Sequence, residues 1–212
     1  MQKIKKIIFV AGLHGNEKMP VRALTENNIP FVLGNPKACE KNIRFIERDI
    51  NASFGLSGKE YECIRAEEIL NEINEDEFVI DFHTTTNEAQ PFVIIIDEKM
   101  VPLAKQTGVE RVVFMRYNIK KGHALINYRK GISIEVGTHQ DQRSYQTTMN
   151  IVKNVLNQEK HSVVLYEVYD EIRKSGNYEN FQEHKDGFIP ILAKEPEYER
   201  EGLFGLKARK LK

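Results

Sequence analysis

The sequence predicts an α/β fold, a mixed sheet flanked by helices with a short β-rich appendage at the C-terminal end. Two observations carry this. Short apolar runs of strand length alternate along the chain with stretches of helical periodicity, and glycine or Gly-Asn-Pro turns punctuate their boundaries. A third, the change to mixed charges and close-spaced turns beyond about residue 160, marks off the appendage.

The elements follow in order. Residues 4–11 form an apolar run that reads as a buried strand, closed by the turn Gly12-Leu13-His14-Gly15. Pro20 to Glu26 reads as a helix, with the proline in its first turn, where a missing N–H does no harm. Phe31 to Gly34 is a second strand, ended by Gly34-Asn35-Pro36. Between 59 and 74, Tyr61, Ile64, Ala66, Ile69, Leu70 and Ile73 recur at helical spacing and predict one apolar face. Phe78 to Phe82 is a strand running into His83. Phe92–Ile96, Arg111–Phe114 and Gly131–Val136 are further strands, the last ended by Gly137, and Thr147 to Asn157 is a helix. The organisation expected is a domain over 1–160 and a small β-rich segment over 161–212, too short to bury a core alone. The basic end, Lys207 to Lys212, reads as a solvated terminus.

Composition narrows the function. Lys plus Arg equals Asp plus Glu, 31 against 31, which removes the basic signature of a nucleic-acid binder. No apolar run approaches the roughly 20 residues of a membrane helix. The first apolar run leads into Gly-Leu-His-Gly-Asn-Glu instead of a signal cleavage site, so the expected location is cytoplasmic. Cys39 and Cys63 form no CxxC pair and read as reduced thiols. The partner expected is a small molecule, with neither nucleic acid nor membrane, and homo-oligomerisation stays open.

Chemistry concentrates where strands end. His14 and Glu17 follow the first strand, and His83 follows the third. Functional groups of α/β sheets gather at the carboxyl ends of strands, so neighbouring strands would bring these three together. Two imidazoles and a carboxylate supply three positions of a tetrahedral Zn²⁺ site and leave the fourth open, the pattern of a catalytic site, and one zinc ion per chain is expected. Gly12 and Gly15 would let the backbone turn sharply enough for the ligands to converge. Asp81 and Thr84 to Thr86 suit the support of a metal-bound histidine.

Glu135 lies in the apolar run Ile132 to Gly137, where a carboxylate is costly to bury without a partner. By itself it is equally a strand-edge residue facing solvent or a general base; beside a metal cluster, the base is the better reading. The decapeptide 42–51, with Arg44, Arg48, Asp49 and Asn51, lines a pocket for an anion or polarised carbonyl, or is a solvated charged loop. Composition alone favours the loop.

Together the motifs Gly12-Leu13-His14-Gly15-Asn16-Glu17, Asn35-Pro36, Arg44 with Asp49-Ile50-Asn51, Asp81-Phe82-His83-Thr84-Thr85 and Ile134-Glu135-Val136-Gly137 resemble the succinylglutamate desuccinylase/aspartoacylase family, a zinc-carboxypeptidase-like group, in that family's order. The resemblance implies a zinc-dependent amidohydrolase that splits an N-acyl amino acid into a carboxylic acid and a free amino acid. It implies zinc on His14, Glu17 and His83, Glu135 as catalytic acid and base, and Arg44 as the group polarising the scissile carbonyl. Arg44, Asp49, Asn51 and Tyr198 are the implied substrate contacts, Tyr198 through a tail segment reaching back to the pocket. The sequence departs from the family at Ala52, where an arginine that forks onto the substrate carboxylate is usual, and at Leu125, where a second arginine is expected. Arg48, Arg116, Arg129 and Arg143 are the candidates to replace them. The alternatives are a metallocarboxypeptidase acting on a peptide and a non-catalytic metal-binding protein of the same fold. His123, His139, His161 and His184 read as surface or pocket-rim residues.

Overall fold

A computed structural model describes residues 6–86, 90–116 and 121–211. Nine strands form one sheet: β1 (Ile7–Ala11), β2 (Phe31–Leu33), β3 (Phe78–Thr85), β4 (Phe92–Ile95), β5 (Arg111–Met115), β6 (Gly131–Thr138), β7 (Val164–Glu171), β8 (Ile189–Ile191) and β9 (Leu206–Lys210). Their spatial order is β2-β1-β3-β6-β4-β5-β7-β9-β8. β2, β1, β3 and β6 run parallel; β4 is antiparallel to β6, and β5 and β7 then run parallel to β4. β9 is antiparallel to both β7 and β8. The sheet is therefore mixed, as expected, and the first two residues of the predicted 4–11 strand lie outside the described residues.

The helices are α1 (Lys18–Glu26), α2 (Pro36–Lys41), α3 (Tyr61–Glu72), α4 (Val101–Ala104), α5 (Leu125–Tyr128), α6 (Gln142–Leu156) and α7 (Pro196–Arg200). Strand alternation sends successive side chains to opposite faces, and two cores follow from it. On one face Phe9, Ile80, Phe82, Ile132 and Ile134 meet Leu24 of α1, Leu103 of α4 and Ile151, Val152 and Val155 of α6. On the other, Val10 and Val79 pack with Ile50, Phe54 and Leu125 and with Ala66 and Ile69 of α3. Farther along that second face, Val113, Met115, Tyr166 and Val168 are covered by Leu192 and Leu203 of the C-terminal segment. Among the described residues no helix is long and apolar enough to cross a membrane.

Several boundaries differ from the sequence expectation. α6 starts at Gln142, five residues early, because Asp141 caps it by accepting the Arg143 backbone N–H at 2.8 Å. Gly137 does not end its strand. It continues at φ +129°, beside the register shift between β3 and β6, and β6 runs on to Thr138. α3 is rotated from the predicted face: Ile64 is 46% exposed, while Glu62 and Cys63 are buried with Ala66 and Ile69. The reason is Glu62, whose carboxylate is drawn inward by the N–H groups of a neighbouring loop. At about 100° per residue, Ile64 lies two residues farther on, nearly opposite.

The largest correction concerns the basic end. Lys207 to Lys210 are not a solvated terminus but part of β9, hydrogen-bonded on both sides, with Leu206 and Ala208 buried. Arg209 and Lys207 are held by Glu167 and Asp170 of β7, so their charges sit on the solvent side of a strand. Lys212 lies outside the described residues.

Candidate active site

Three parallel strands position the site. In the β3–β6 register Asp81 faces Ser133 and His83 faces Glu135. Paired residues share a face, so these four side chains form one cluster on the sheet face that also carries Val10 and Val79. His83 lies within β3, which continues to Thr85, and does not follow its end. Beyond β1 the chain turns at Gly12, whose φ of +73° favours a residue without a Cβ, and presents His14 and Glu17. Gly15 has a different reason to be glycine. A Cβ there would stand 2.0 Å from the Ala38 carbonyl carbon, so it is the close approach of α2 that excludes a side chain.

His14, Glu17 and His83 are all buried, at 3%, 2% and 4% exposure, and one ligand atom from each lies within 4.8 Å of the others. Both imidazoles turn Nδ1 to the same carboxylate: His14 Nδ1 is 2.7 Å from Glu17 Oε1 and His83 Nδ1 is 3.1 Å from Glu17 Oε2. Each opposite nitrogen has its own carboxylate. His14 Nε2 is 2.9 Å from Asp49 Oδ1, and His83 Nε2 is 2.7 Å from Asp81 Oδ2. With a cation in the cluster, such partners would hold Nε2–H and leave Nδ1 as the donor atom; without one, Nδ1 at these distances donates to Glu17. Burial opposes ionisation of Glu17, but His14 and His83 outweigh it and hold its carboxyl well below the usual range. Burial likewise works against a charged His83, yet Asp81 and Glu17 raise it well above the ordinary histidine value. The field at this point favours positive charge, and the donor set suits a divalent cation.

Glu135 stands across the strand pair from His83, and its Oε2 is buried without a hydrogen-bond partner among the described residues. Burial pushes this carboxyl up to about 8, with Glu17 and Glu195 adding to the rise and His83 and Arg44 opposing it. A cavity opens over these groups. Its lining includes His14, Glu17, Arg44, Asn51, His83, Ser133, Glu135 and Tyr198. The sequence-predicted residues are thus brought together, save one. Asp49 is not among the lining residues; its carboxylate holds His14 at 2.9 Å and Arg44 Nη2 at 3.2 Å and caps the Asn51 backbone N–H at 2.8 Å. In this position it braces both side chains from outside the lining. Arg44 donates to Asp49; burial alone would ease its proton loss, but Asp49 and Glu17 keep it firmly charged.

None of the four arginines offered as replacements lines the cavity. Arg48 turns to Glu60 and Arg116 to Glu98 and Glu167. Arg129 donates to the Ile73, Tyr128 and Leu70 carbonyls, and Arg143 pairs with Asp141. Arg44 is the one arginine among the described lining residues. In their place the wall is apolar, with Ile94, Ile96, Met115, Ile126 and Leu192, and carries Glu195 and Glu197 from the C-terminal segment. Glu195 accepts the Thr86 backbone N–H at 3.2 Å, tying that segment to the end of β3. His139 sits behind the centre, with Nδ1 2.6 Å from Thr84 Oγ1 and Nε2 3.3 Å from Asn16 Nδ2.

Sequence reasoning missed the apolar wall and both glutamates. The signal for Ile94 and Ile96 was their period-two spacing, the first on β4 and the second just past its end. Nothing local marks Glu195 or Glu197, except their place beside Tyr198.

A mixed sheet with a buried His-Glu-His cluster beside the ends of parallel strands, facing one cavity, defines an α/β protein of the carboxypeptidase-like class. The Succinylglutamate desuccinylase/Aspartoacylase catalytic domain matches residues 3–158, and the chain belongs to that family. It is 26% identical over 163 residues to a "Probable aspartoacylase" of Prochlorococcus marinus (strain MIT 9215), covering 63% of this chain and 54% of that protein. To the protein of the same description from strain MIT 9301 it is 36% identical over 106 residues, 39% of this chain and 35% of the other. The chain thus spans about half the length, or less, of the curated relatives it matches. Among solved structures, murine aminoacylase 3 superposes with a TM-score of 0.75 at 17% identity, covering 100% of this chain and 97% of that one. The succinylglutamate desuccinylase of Chromobacterium violaceum gives 0.72 at 16% identity, over 98% and 85%. At these identities the structural likeness speaks for the fold.

Proposed function

We propose that the protein is a zinc-dependent hydrolase that cleaves the amide bond of a small N-acyl amino acid or a related linear amide. The observation that carries this reading is the meeting of His14 Nδ1, His83 Nδ1 and the Glu17 carboxylate beside an unpartnered, buried Glu135 oxygen in a single cavity. The residues fit a zinc ion: the donor atoms are close, their opposite nitrogens are anchored by Asp49 and Asp81, and no fourth protein ligand of the described residues closes the cluster. When bound, zinc would supply Lewis acidity toward the scissile carbonyl and lower the pKa of an adjacent water.

The chain's own groups carry the rest. Glu135 takes a proton from water as its oxygen bonds to the carbonyl carbon. Burial raises this carboxyl, which makes its ionised form a stronger base than an exposed glutamate and lets it hold the proton until it is given back. Arg44 donates to the carbonyl oxygen as negative charge collects there. Glu135 then protonates the nitrogen as the C–N bond breaks, leaving a carboxylic acid and an amine. Asp81 and Asp49 hold the two imidazoles, and Asn51 and Tyr198 line the cavity that would take the substrate. With Arg44 engaged by Asp49 and no other described arginine in the wall, a peptide's terminal carboxylate lacks a fork to hold it. An N-acyl amino acid presents the same carboxylate, so this wall weighs on the N-acyl and carboxypeptidase readings alike, and it is the family match over residues 3–158 that supports the N-acyl one.

The test is metal analysis coupled to turnover of a panel of N-acyl amino acids and short peptides. His83→Ala is expected to lose zinc and activity. Glu135→Gln is expected to keep zinc and lose about a hundredfold to ten-thousandfold in kcat. A Gln variant of wild-type activity removes Glu135 as the base. A wild type that binds zinc and turns over nothing is a binding protein.

A further inference from the structure

We infer that Glu62, which lines no part of the cavity, is a positioning residue for the site: it fixes the loop that sets Asp49 against His14 and Arg44. Glu62 lies in the first turn of α3 and is fully buried. Its Oε1 accepts Asn35 Nδ2 at 3.0 Å and the Ile46 backbone N–H at 2.7 Å. Its Oε2 accepts the backbone N–H groups of Glu47 at 3.1 Å and Arg48 at 3.3 Å. Three consecutive main-chain N–H groups converging on one carboxylate form an anion nest. Among the described residues no cationic side chain pairs with Glu62, and Arg48 turns to Glu60 instead. The loop is therefore wrapped around this carboxylate, not around a salt bridge.

What the nest holds is short and lies between two groups of the site. Arg44 precedes it by two residues and Asp49 follows directly. The Arg44 carbonyl accepts the Gly15 N–H at 3.1 Å, joining the loop to the turn that bears His14 and Glu17. Asp49 Oδ1 stands at 2.9 Å from His14 Nε2, and Oδ2 at 3.2 Å from Arg44 Nη2. The Glu62 carboxylate also accepts from the side chain of Asn35, whose Oδ1 caps α2 at the Ala38 N–H, 3.0 Å away, beside Gly15. A one-residue slip of the 46–48 backbone would shift Asp49 off the His14 ring and release Arg44 from its brace. The pull that rotated α3 to bury Glu62 is thus also the pull that seats the site.

This inference rests on the hydrolase reading for its activity readout and not for its zinc readout, so the two can fail separately. The experiment compares Glu62→Gln with Ile69→Val, a trimming of the buried face of the same helix. For each, zinc affinity by chelator competition, kcat and KM separately, and thermal unfolding are measured. In Gln one acceptor oxygen becomes an NH₂ facing N–H donors. A loss of about tenfold in zinc affinity, the lower end for a residue supporting a metal ligand, is expected, with a fall in kcat larger than any rise in KM. Ile69→Val is expected to lower the melting temperature and leave zinc affinity and kcat as in the wild type.

If Glu62→Gln changes zinc affinity and kcat no more than Ile69→Val, the inference is overturned and the hydrolase reading stands. If the wild type hydrolyses nothing, that reading fails, and the zinc affinities still decide the role of Glu62. A wild type that binds no zinc overturns both. Should the Gln variant not fold, Glu62→Asp, which retracts the charge by one methylene, decides the matter: a folded Asp variant with wild-type zinc affinity and kcat overturns the inference.

Discussion

Replacing Asp81 by Asn would test the proposed metal centre through a group outside its His14, Glu17 and His83 donor set. Asp81 is fully buried; its Oδ2 lies 2.7 Å from His83 Nε2 and 3.3 Å from Ser133 Oγ, and its Oδ1 has no partner among the described residues. Asparagine has the same shape but two distinct ends, and neither placement is free. With its oxygen toward His83, the Nε2–H bond survives, but the NH₂ takes the place of Oδ1, where nothing accepts it. A buried unsatisfied donor costs about 1–3 kcal/mol. With its NH₂ toward His83, the ring must accept at Nε2 and carry its proton on Nδ1, which removes the lone pair that a metal would need there. Either way the loss should be about tenfold to a hundredfold in zinc affinity, the range for such supporting residues, or about 1.4–2.7 kcal/mol. Chelator competition on folded protein measures it, with Ser133→Ala as the control for a change in the same pocket that leaves the aspartate. A zinc affinity in the Asn variant within twofold of wild type would mean that Asp81 does not set the His83 tautomer, and the argument from paired carboxylates would fail.

Two further outcomes follow from the geometry. Gly15→Ala places a Cβ 2.0 Å from the Ala38 carbonyl carbon and 2.3 Å from the Cys39 nitrogen, main-chain atoms that cannot swing aside; overpacking of this kind should cost about 3 kcal/mol. Thermal unfolding should show a drop of about 6–12 °C for a chain of this size, and an unchanged melting temperature would refute the close packing of α2 on this turn. Tyr198→Phe removes a hydroxyl from the cavity wall without changing the ring, and should raise KM several-fold with the melting temperature nearly constant; steady-state kinetics with an unaltered KM would detach the C-terminal segment from substrate binding.

The structure also changes what several sequence features mean. Lys207 and Arg209 resemble a solvated basic tail when read as composition, yet they alternate with Leu206 and Ala208 in β9, because strand pairing with β7 and β8 buries those two residues. Ile64 belongs to a helical apolar stripe on paper and faces solvent in the molecule, since a buried carboxylate two residues earlier decides the rotation of α3. Asp49 reads as a substrate contact, and in the molecule it lies outside the cavity lining and holds His14 and Arg44.

Local chemistry was enough to find β1 to β6, the turn at Gly12, the candidate cluster of His14, Glu17 and His83, and Glu135 as a carboxylate worth setting beside it. Each is written in a short stretch: apolar runs announce strands, and polar groups at their ends announce a site, because burial leaves a polar side chain on a strand few uses besides chemistry. Only the folded chain decided what stands across from what. The β3–β6 register put Glu135 opposite His83, the β4 reversal laid an apolar wall where arginines were expected, and residues 192–198 closed the cavity from more than fifty positions beyond Glu135. Those contacts join segments distant in sequence, and their energies depend on geometry that no local pattern encodes.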